Sequence, residues 1–510
     1  MTRALRLAAL FGFLFLASAW AREVPITILD TTDVHGRIVP ERAREAGCLA
    51  RCATLIREAR ASGKNVLLVD AGDTIQGSAA SWLSGGLVMV KALNALRYDA
   101  WVLGNHEFDW GLDKVTNCIA HAEMPVLAAN ASGLASVKPY VIREVDGVKV
   151  AIVGLTTPGI PNWSRPRLIP GLKFADSVET LRWVLPLARK DGANVTVLVV
   201  HQGYKESGDD HANQLRAITQ KFPELDVIIG GHTHREFIGA PIRGILYQQA
   251  GYHGSFLGRV DVVFDTDKRK ITSFRANVIP VKENVAMDEA LVALTRDEVA
   301  SAEKYLGTRI GEATEDFTVH GAPKSETAIR DLICRGIVES LERRGVKTDA
   351  VVHGGFSEHE MLKKGPLSIG DVWRIVPYEN TVGVVRLTRD ELREVLDEDA
   401  GGYEKREFRG VWGLRCRLNP RAEDGHRVLD LQRADGSAIA AHERLTVALN
   451  SYDLAGGGLR WKKLRSLVQR NDAGLVEYDI YTRDAVVDFI RRHGQVTPSV
   501  QPWWRVTVLH

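Results

Sequence analysis

Gly104-Asn105-His106-Glu107-Phe108-Asp109 follows directly on Ala100-Trp101-Val102-Leu103. The second of these runs is short and apolar and reads as a buried strand. An amide oxygen, an imidazole and two carboxylates therefore arrive together at a strand end. Alone, such a cluster is a solvated turn. Four further junctions of the same kind raise it above that. Pro25-Ile26-Thr27-Ile28-Leu29 ends in Asp30-Thr31-Thr32-Asp33-Val34-His35-Gly36. Val66-Leu67-Leu68-Val69 ends in Asp70-Ala71-Gly72-Asp73, and the run from Val195 to Val200 ends at His201. Val227-Ile228-Ile229 breaks at Gly230-Gly231-His232-Thr233-His234.

Between these strands lie helical patterns. Residues 47–61 put Leu49, Ala53 and Ile56 on one face. Residues 87–97 and 211–221 also read as helices. Val126 to Ala128 and Val148 to Val153 are further strands, and Val260–Phe264 with Ile271–Val278 reads as a meander. Strands with intervening helices and some antiparallel pairs fit a layered α/β domain. Residues 287–305 are polar and helical in pattern, a natural connector. From about Gly307 a second α/β unit begins, with a helix from Ala328 to Arg343 and strands at Ala350–Val352 and Val382–Leu387. A helix from Arg389 to Leu396, a strand from Leu445 to Leu449 and a Gly456-Gly457-Gly458 turn follow.

The chain has 510 residues, enough for two or more domains. It carries 66 Lys+Arg against 64 Asp+Glu, so no basic surplus points to nucleic acid and no acidic run to a disordered tail. Arg3 and Arg6 precede an apolar run from Leu7 to Trp20, with Ala19-Trp20-Ala21 as a small-x-small cleavage site. That run is shorter than the roughly 20 residues a bilayer span needs, so residues 1–21 are expected to be a cleaved signal peptide. Their removal takes two arginines and no acid and brings the net charge from +2 to zero. A periplasmic or secreted protein without a membrane segment is expected. Five cysteines (Cys48, Cys52, Cys118, Cys334 and Cys416) leave at least one free thiol. Cys48 and Cys52 share a helix face, where a disulfide would be strained, so small buried side chains are the expectation. No CxxC motif points to cysteine-held zinc.

The candidate ligands are imidazoles, carboxylates and one amide oxygen. Asp33/His35 and His232/His234 are i, i+2 pairs, which in extended chain lie on one side. Carboxyl ends of parallel strands converge on one edge of an α/β sheet. The donor set suits zinc, manganese, iron or cobalt. Seven such residues exceed one tetrahedral ion and match two ions sharing a carboxylate, a pair that sits about 3.5–4 Å apart in two-metal sites.

Asp33-Val34-His35, Gly72-Asp73, Gly104-Asn105-His106-Glu107-Phe108-Asp109, His201 and Gly231-His232-Thr233-His234 resemble the blocks of calcineurin-like metallophosphoesterases. Within those, the chain resembles the bacterial periplasmic 5′-nucleotidase/UDP-sugar hydrolase family. The resemblance implies a four-layer β-sandwich flanked by helices over residues 22–286, a linker helix over 287–306, and a smaller α/β substrate-binding domain over 307–510. It implies that Asp33, His35 and His234 hold one divalent ion, that Asn105, His201 and His232 hold the other, and that Asp73 bridges them. His106 would sit beside the phosphoryl group, oriented by Asp109, and metal-bound hydroxide would attack without a phosphoenzyme. Glu107 reads as structural, satisfying loop donors. Pro377-Tyr378-Glu379-Asn380 resembles the family's Pro-Phe-Gly-Asn segment, and Tyr452 falls at its second aromatic. Tyr378, Asn380 and Tyr452 are thus the expected substrate contacts, the two tyrosines sandwiching a flat base.

Two departures stand out. His353-Gly354-Gly355-Phe356-Ser357 carries no arginine where the family's Asn-x-Gly-Gly-Ile-Arg block has one. Gly458 stands where the family has an acid for the ribose hydroxyls. Loss of an arginine fork weakens phosphate binding; Arg374, Arg386 and Arg460 are the candidate substitutes. The expected activity is release of phosphate from nucleoside 5′-monophosphates. Alternatives are a hydrolase of UDP-sugars, cyclic nucleotides or a sulfur ester, or a non-catalytic exported metal-binding protein. Retention of the His106/Asp109 pair counts against the last. If substrate binds one domain and reacts on the other, residues near 287–310 act as a hinge.

Overall fold

The computed structural model describes residues 22–41, 45–322, 324–405 and 407–507. The expected signal segment, residues 1–21, lies outside them. The five strands that carry the candidate ligands are β1 (Glu23–Thr31), β2 (Val66–Asp70), β3 (Ala100–Val102), β4 (Val195–Val200) and β5 (Val227–Gly230). They divide between two sheets. One sheet runs Lys270–Pro280, Phe256–Asp265, β1, β2, β3, Val126–Leu127, Val137–Lys138. The other runs Glu236–Ile242, Ile245–Ala250, β5, β4, Val148–Leu155, Tyr140–Val145. β1, β2 and β3 are mutually parallel, as are β4 and β5, so their carboxyl ends share an edge.

The two sheets face one another across a core of Ile26, Ile28, Val69, Val197, Val199 and Ile229, among others. Alternation along a strand then sends the next residue outward: Ile28 faces the second sheet while Leu29 faces the helices. Helices Leu49–Ser62, Leu87–Leu96 and Leu112–His121 cover the outer face of the first sheet. Helices Ser177–Lys190 and Leu215–Lys221 cover the second. This is the four-layer sandwich with its flanking helices. Strands buried on both faces must be apolar throughout, which is why they read as unbroken runs. In Leu49–Ser62 the buried positions Leu49, Cys52, Ala53 and Ile56 follow the i, i+3, i+4, i+7 stripe. Truncating Ile56 to Ala would cost about 2–5 kcal/mol.

Two expected elements differ. The helix expected over 211–221 starts only at Leu215, because one carboxylate oxygen of Asp210 captures the N–H groups of Ala212 (2.9 Å) and Asn213 (2.8 Å) in a turn. The connector expected as one helix over 287–306 is two, Glu289–Leu294 and Arg296–Leu306, broken at Thr295. Asp288 caps the first through the N–H of Leu291 (2.8 Å). The second packs Ala302 and Tyr305 into one cluster with Ala79, Ala80, Trp82 and Trp373.

Beyond the connector, a four-stranded sheet runs Ala350–Val352, Arg444–Asn450, Thr381–Thr388, Val476–Tyr481. Ala328–Glu342 and Thr482–His493 pack on one face, and Arg389–Ala400 and Lys462–Val468 on the other. The five cysteines are all buried and free. No helix among the described residues is long and apolar enough to cross a membrane.

Candidate metal centre and active site

The loops leaving β1 to β5 bring all seven candidate ligands to one place. Ligand atoms of Asp33, His35 and His234 lie within 4.8 Å of one another, and so do those of Asp73, His201 and His232. Nε2 of His35 is 3.1 Å from Nε2 of His234, which is 3.4 Å from Asp33 Oδ1. In the other group His201 Nε2 is 3.1 Å from Asp73 Oδ2 and 3.2 Å from Asn105 Oδ1. The same Asp73 oxygen lies 4.0 Å from His35 Nε2, so one carboxylate reaches both groups. Each group draws on both sheets: the acids, His35 and Asn105 come from the first, and the other histidines from the second.

The backbone bends to do this. Asp33, His35, Asp73, His232 and His234 have φ of 50°, 50°, 54°, 72° and 54°, the left-handed region that costs a non-glycine residue about 1–3 kcal/mol. Such strain persists because the surroundings over-determine it. Asp33 accepts the N–H of His232 (3.0 Å) and the hydroxyl of Thr32 (2.6 Å). Gly104 must be glycine, since a Cβ there would run into the Asp73 carboxylate.

Tautomers are set from behind. His35 Nδ1 donates to the Gln76 carbonyl (3.2 Å) and His201 Nδ1 to the Ala71 carbonyl (2.7 Å). Both rings therefore turn Nε2 toward the cluster, the arrangement of ligating histidines. Burial pushes His35 down to about 4; burial and the neighbouring His201 push His232 down to about 3. Burial also opposes charge on His201, but Asp73 outweighs it and lifts the group to about 9. A divalent cation held there would meet the same attraction and would take the place of the proton. Two buried carboxylates, neutral-side imidazole nitrogens and an amide oxygen converging on two points fit divalent metal ions.

His106 stands beside the ligands without joining them. Its Nδ1 is 2.6 Å from Asp109 Oδ2, and its backbone N–H donates to Asp73 Oδ1 (2.8 Å). Burial opposes its protonation, but Asp109 and Asp73 together hold its pKa well above the usual histidine value. Glu107 is wholly buried and accepts the N–H groups of Gly104 (2.6 Å), Asp73 (2.9 Å), Thr74 (2.6 Å) and Ile75 (3.2 Å). It binds the loops and leaves the cluster to others.

Of the expected substrate contacts, Tyr378 lies face to face with His106, centroids 6.4 Å apart and planes at 16°. Phe356 abuts it at 5.6 Å. Tyr452 lies beneath the guanidinium of Arg460, 5.8 Å from its centroid. No ring contact joins the two tyrosines among the described residues. Asn380 is half-buried, and its carbonyl accepts from Thr482 N–H (2.8 Å); no hydrogen bond ties its side chain to the cluster among the described residues. Of the candidate substitutes for the missing arginine, Arg374 is paired with Asp371 and Arg386 is exposed on its strand, so Arg460 alone borders an expected substrate residue.

Sequence reasoning passed over Trp163. Its ring lies 5.1 Å from that of His232, and its Nε1 would be 2.8 Å from a Cβ at Gly458. It therefore fills the space an acid at 458 would need. The loop that carries it is clasped by the second domain: Arg165 and Arg167 both pair with Glu477, and Asn162 accepts the N–H of Gly458 (3.3 Å). The available signal was position: Thr156-Thr157 follows the buried strand Val148–Leu155, a sixth junction on the ligand edge.

This sandwich, with acids, imidazoles and an amide oxygen gathered at one edge and a carboxylate-held imidazole beside them, defines a metal-dependent phosphoric-ester hydrolase. Residues 26–236 match the calcineurin-like phosphoesterase family and residues 309–465 the 5′-nucleotidase C-terminal domain. The chain belongs to the calcineurin-like phosphoesterases, in the branch that carries the 5′-nucleotidase C-terminal domain. It is 28% identical to the snake venom 5′-nucleotidase of Crotalus adamanteus, over 95% of this chain and 89% of that protein. It is 29% identical to the 2′,3′-cyclic-nucleotide 2′-phosphodiesterase/3′-nucleotidase of Salmonella typhimurium, over 78% and 71%. A solved structure of a putative 5′-nucleotidase from Staphylococcus aureus has the same fold, with a TM-score of 0.82 at 22% identity, covering 94% of this chain and 99% of that one.

Proposed function

We propose that the protein is an exported, dinuclear phosphomonoesterase that releases phosphate from nucleoside 5′-monophosphates. The observation that carries this is a set of seven ligand residues in two touching groups, with His106 beside them under the ring of Tyr378. Asp33, His35 and His234 would hold one divalent ion, and Asn105, His201 and His232 the other, with Asp73 shared. Such a pair supplies charge stabilisation and an activated water.

The chain's own residues do the rest. Phosphoryl transfer needs positioning and charge stabilisation more than covalent help. Asp109 accepts the Nδ1 proton of His106, which turns Nε2 toward the cleft. From there Nε2–H can donate to a phosphoryl oxygen as charge develops, and then to the leaving oxygen. Tyr378 offers a π-face beside His106, and Trp163 offers another beside His232. Two aromatic surfaces flanking the reacting centre favour a flat base. Trp163 in place of an acid at 458 favours recognition of the base over the ribose diol.

The test is metal analysis of the purified protein with a panel of AMP, 3′-AMP, 2′,3′-cyclic AMP and UDP-glucose. Fastest turnover of AMP, with two ions per chain, is expected; no phosphate from any nucleotide overturns the reading. A second reading, hydrolysis of 2′,3′-cyclic nucleotides, is favoured by the likeness to the Salmonella enzyme; a higher kcat/KM on the cyclic ester would select it. Export rests on residues 1–21. A mature N-terminus at Arg22 in the secreted or periplasmic fraction is the expected result.

A further inference from the structure

We propose that Glu379 is a positioning residue that joins the two halves of the site, tying the loop behind His35 to the loop that carries Tyr378. It is buried, and it divides its two carboxylate oxygens between domains. Oε2 accepts from the side-chain amide of Gln76 (2.8 Å), on the loop after β2. Oε1 accepts from Arg483 (3.0 Å), on the helix Thr482–His493 of the second domain. Arg483 is itself only 1% exposed, its guanidinium 3.3 Å from the ring centroid of Trp373 and 5.7 Å from that of Trp82.

The chain of contacts runs onward from both ends. The backbone carbonyl of Gln76 is the acceptor that orients His35. Tyr378, the immediate neighbour of Glu379, is the ring that covers His106. His35 and His106 lie edge to face, 5.3 Å apart. A carboxylate serving only its own domain would find both partners there. This one is satisfied fully only when the domains are docked with Tyr378 over His106. Hydrophobic contacts between Ala79, Ala80, Trp82 and Trp373 hold the domains together but are non-directional; the Gln76–Glu379–Arg483 bonds are directional and so fix where Tyr378 sits. Glu379 acts most on substrates whose leaving group reaches Tyr378.

The proposal rests on the reading of His106 as the group beside the phosphoryl unit, so its test includes a measurement that needs no turnover. In Gln76→Glu two carboxylates face each other, while the Arg483–Glu379 pair stays intact. The double variant Q76E/E379Q restores both hydrogen bonds with the polarity of one reversed. Small-angle scattering of the metal-loaded full chain should show a larger radius of gyration for Q76E and a return to the wild-type value for Q76E/E379Q. KM for AMP should rise about tenfold in Q76E, the effect of one hydrogen bond to a charged group. It should recover in the double variant, and the rise should be smaller for methyl phosphate, whose leaving group cannot reach Tyr378. Should Q76E fail to fold, Gln76→Leu removes the bond without a new charge and should raise KM for AMP several-fold. Wild-type scattering and KM in Q76E, or a double variant no better than the single, overturns the proposal. If the protein turns over no nucleotide at all, the scattering comparison still decides.

Discussion

Glu107 accepts the backbone N–H of Asp73 at 2.9 Å, so the carboxylate that reaches both ligand groups hangs from a second carboxylate that ligates nothing. Three more N–H groups, of Gly104, Thr74 and Ile75, converge on the same side chain. Glu107→Gln puts an amide N–H₂ against these donors. The expected loss is about 1–3 kcal/mol of stability, the cost of a buried unpaired polar group, and urea unfolding of the metal-loaded protein measures it.

His106 and Asp109 separate in their effects. His106→Asn should lower kcat on AMP by about 10²–10⁴-fold, the usual worth of general acid–base help. Asp109→Asn should lower it less, since the imidazole stays in place while its preferred tautomer and charge are lost. Metal content, measured by plasma mass spectrometry, should stay at the wild-type level in both; loss of an ion in H106N would move His106 into the ligand set.

Stoichiometry tests the sharing of Asp73. Asp73→Ala should lower the content of both ions, because its carboxylate lies 3.1 Å from His201 and 4.0 Å from His35. His234→Ala should spare the ion held by Asn105, His201 and His232. Stripping the ions with a chelator should lower Tm by several degrees and abolish hydrolysis, and re-addition should restore both.

The aromatic walls should act on binding. Tyr378→Ala and Trp163→Ala should each raise KM for AMP about tenfold, in the range of base–aromatic stacking of about 1–3 kcal/mol. Steady-state kinetics at saturating metal check this. An effect of W163A confined to kcat would make Trp163 a support for His232 and no part of a base-binding wall.

Asp399 in the second domain supplies a pH test far from the ligands. Burial pushes its carboxyl up to about 7, only partly offset by the N–H groups of Arg409 and Gly410. Between about pH 4 and 7 the folded protein keeps this proton and the unfolded chain has lost it, so stability falls as pH rises through that window. Asp399→Asn should flatten the fall, by up to about 4 kcal/mol, in denaturation curves taken at pH 4, 5.5 and 7.

Much of the ligand edge was legible because buried parallel strands are apolar throughout and end abruptly. Asp33, Asp73, Asn105, His201 and His232 each follow such a run, and chemistry at the sheet edge follows from the layering. Local competition explains the helix misplacement: a single Asp210 carboxylate holds Ala212 and Asn213 out of a helix whose pattern continued through them. Thr295 divides the connector for a similarly local reason, its hydroxyl bonding back to the Leu291 carbonyl (2.9 Å). The substrate side was far less legible. Trp163 meets Gly458, and Gln76 meets Glu379, across some 300 residues of chain. Neither pair has a periodicity or spacing that announces it. The docking of one domain on another creates them, and only the assembled surface records it.

The division of ligands between two sheets orders events in time. His35 and His234 are 199 residues apart in the chain and meet only once both sheets are face to face. No fragment ending before β5 contains either complete ligand group, so a growing chain of 510 residues holds neither until His232 and His234 have been added. An ion that needs a complete group would enter late, after the slow long-range pairing that limits folding of such topologies. The ions such a chain would hold are those at hand where the sandwich closes.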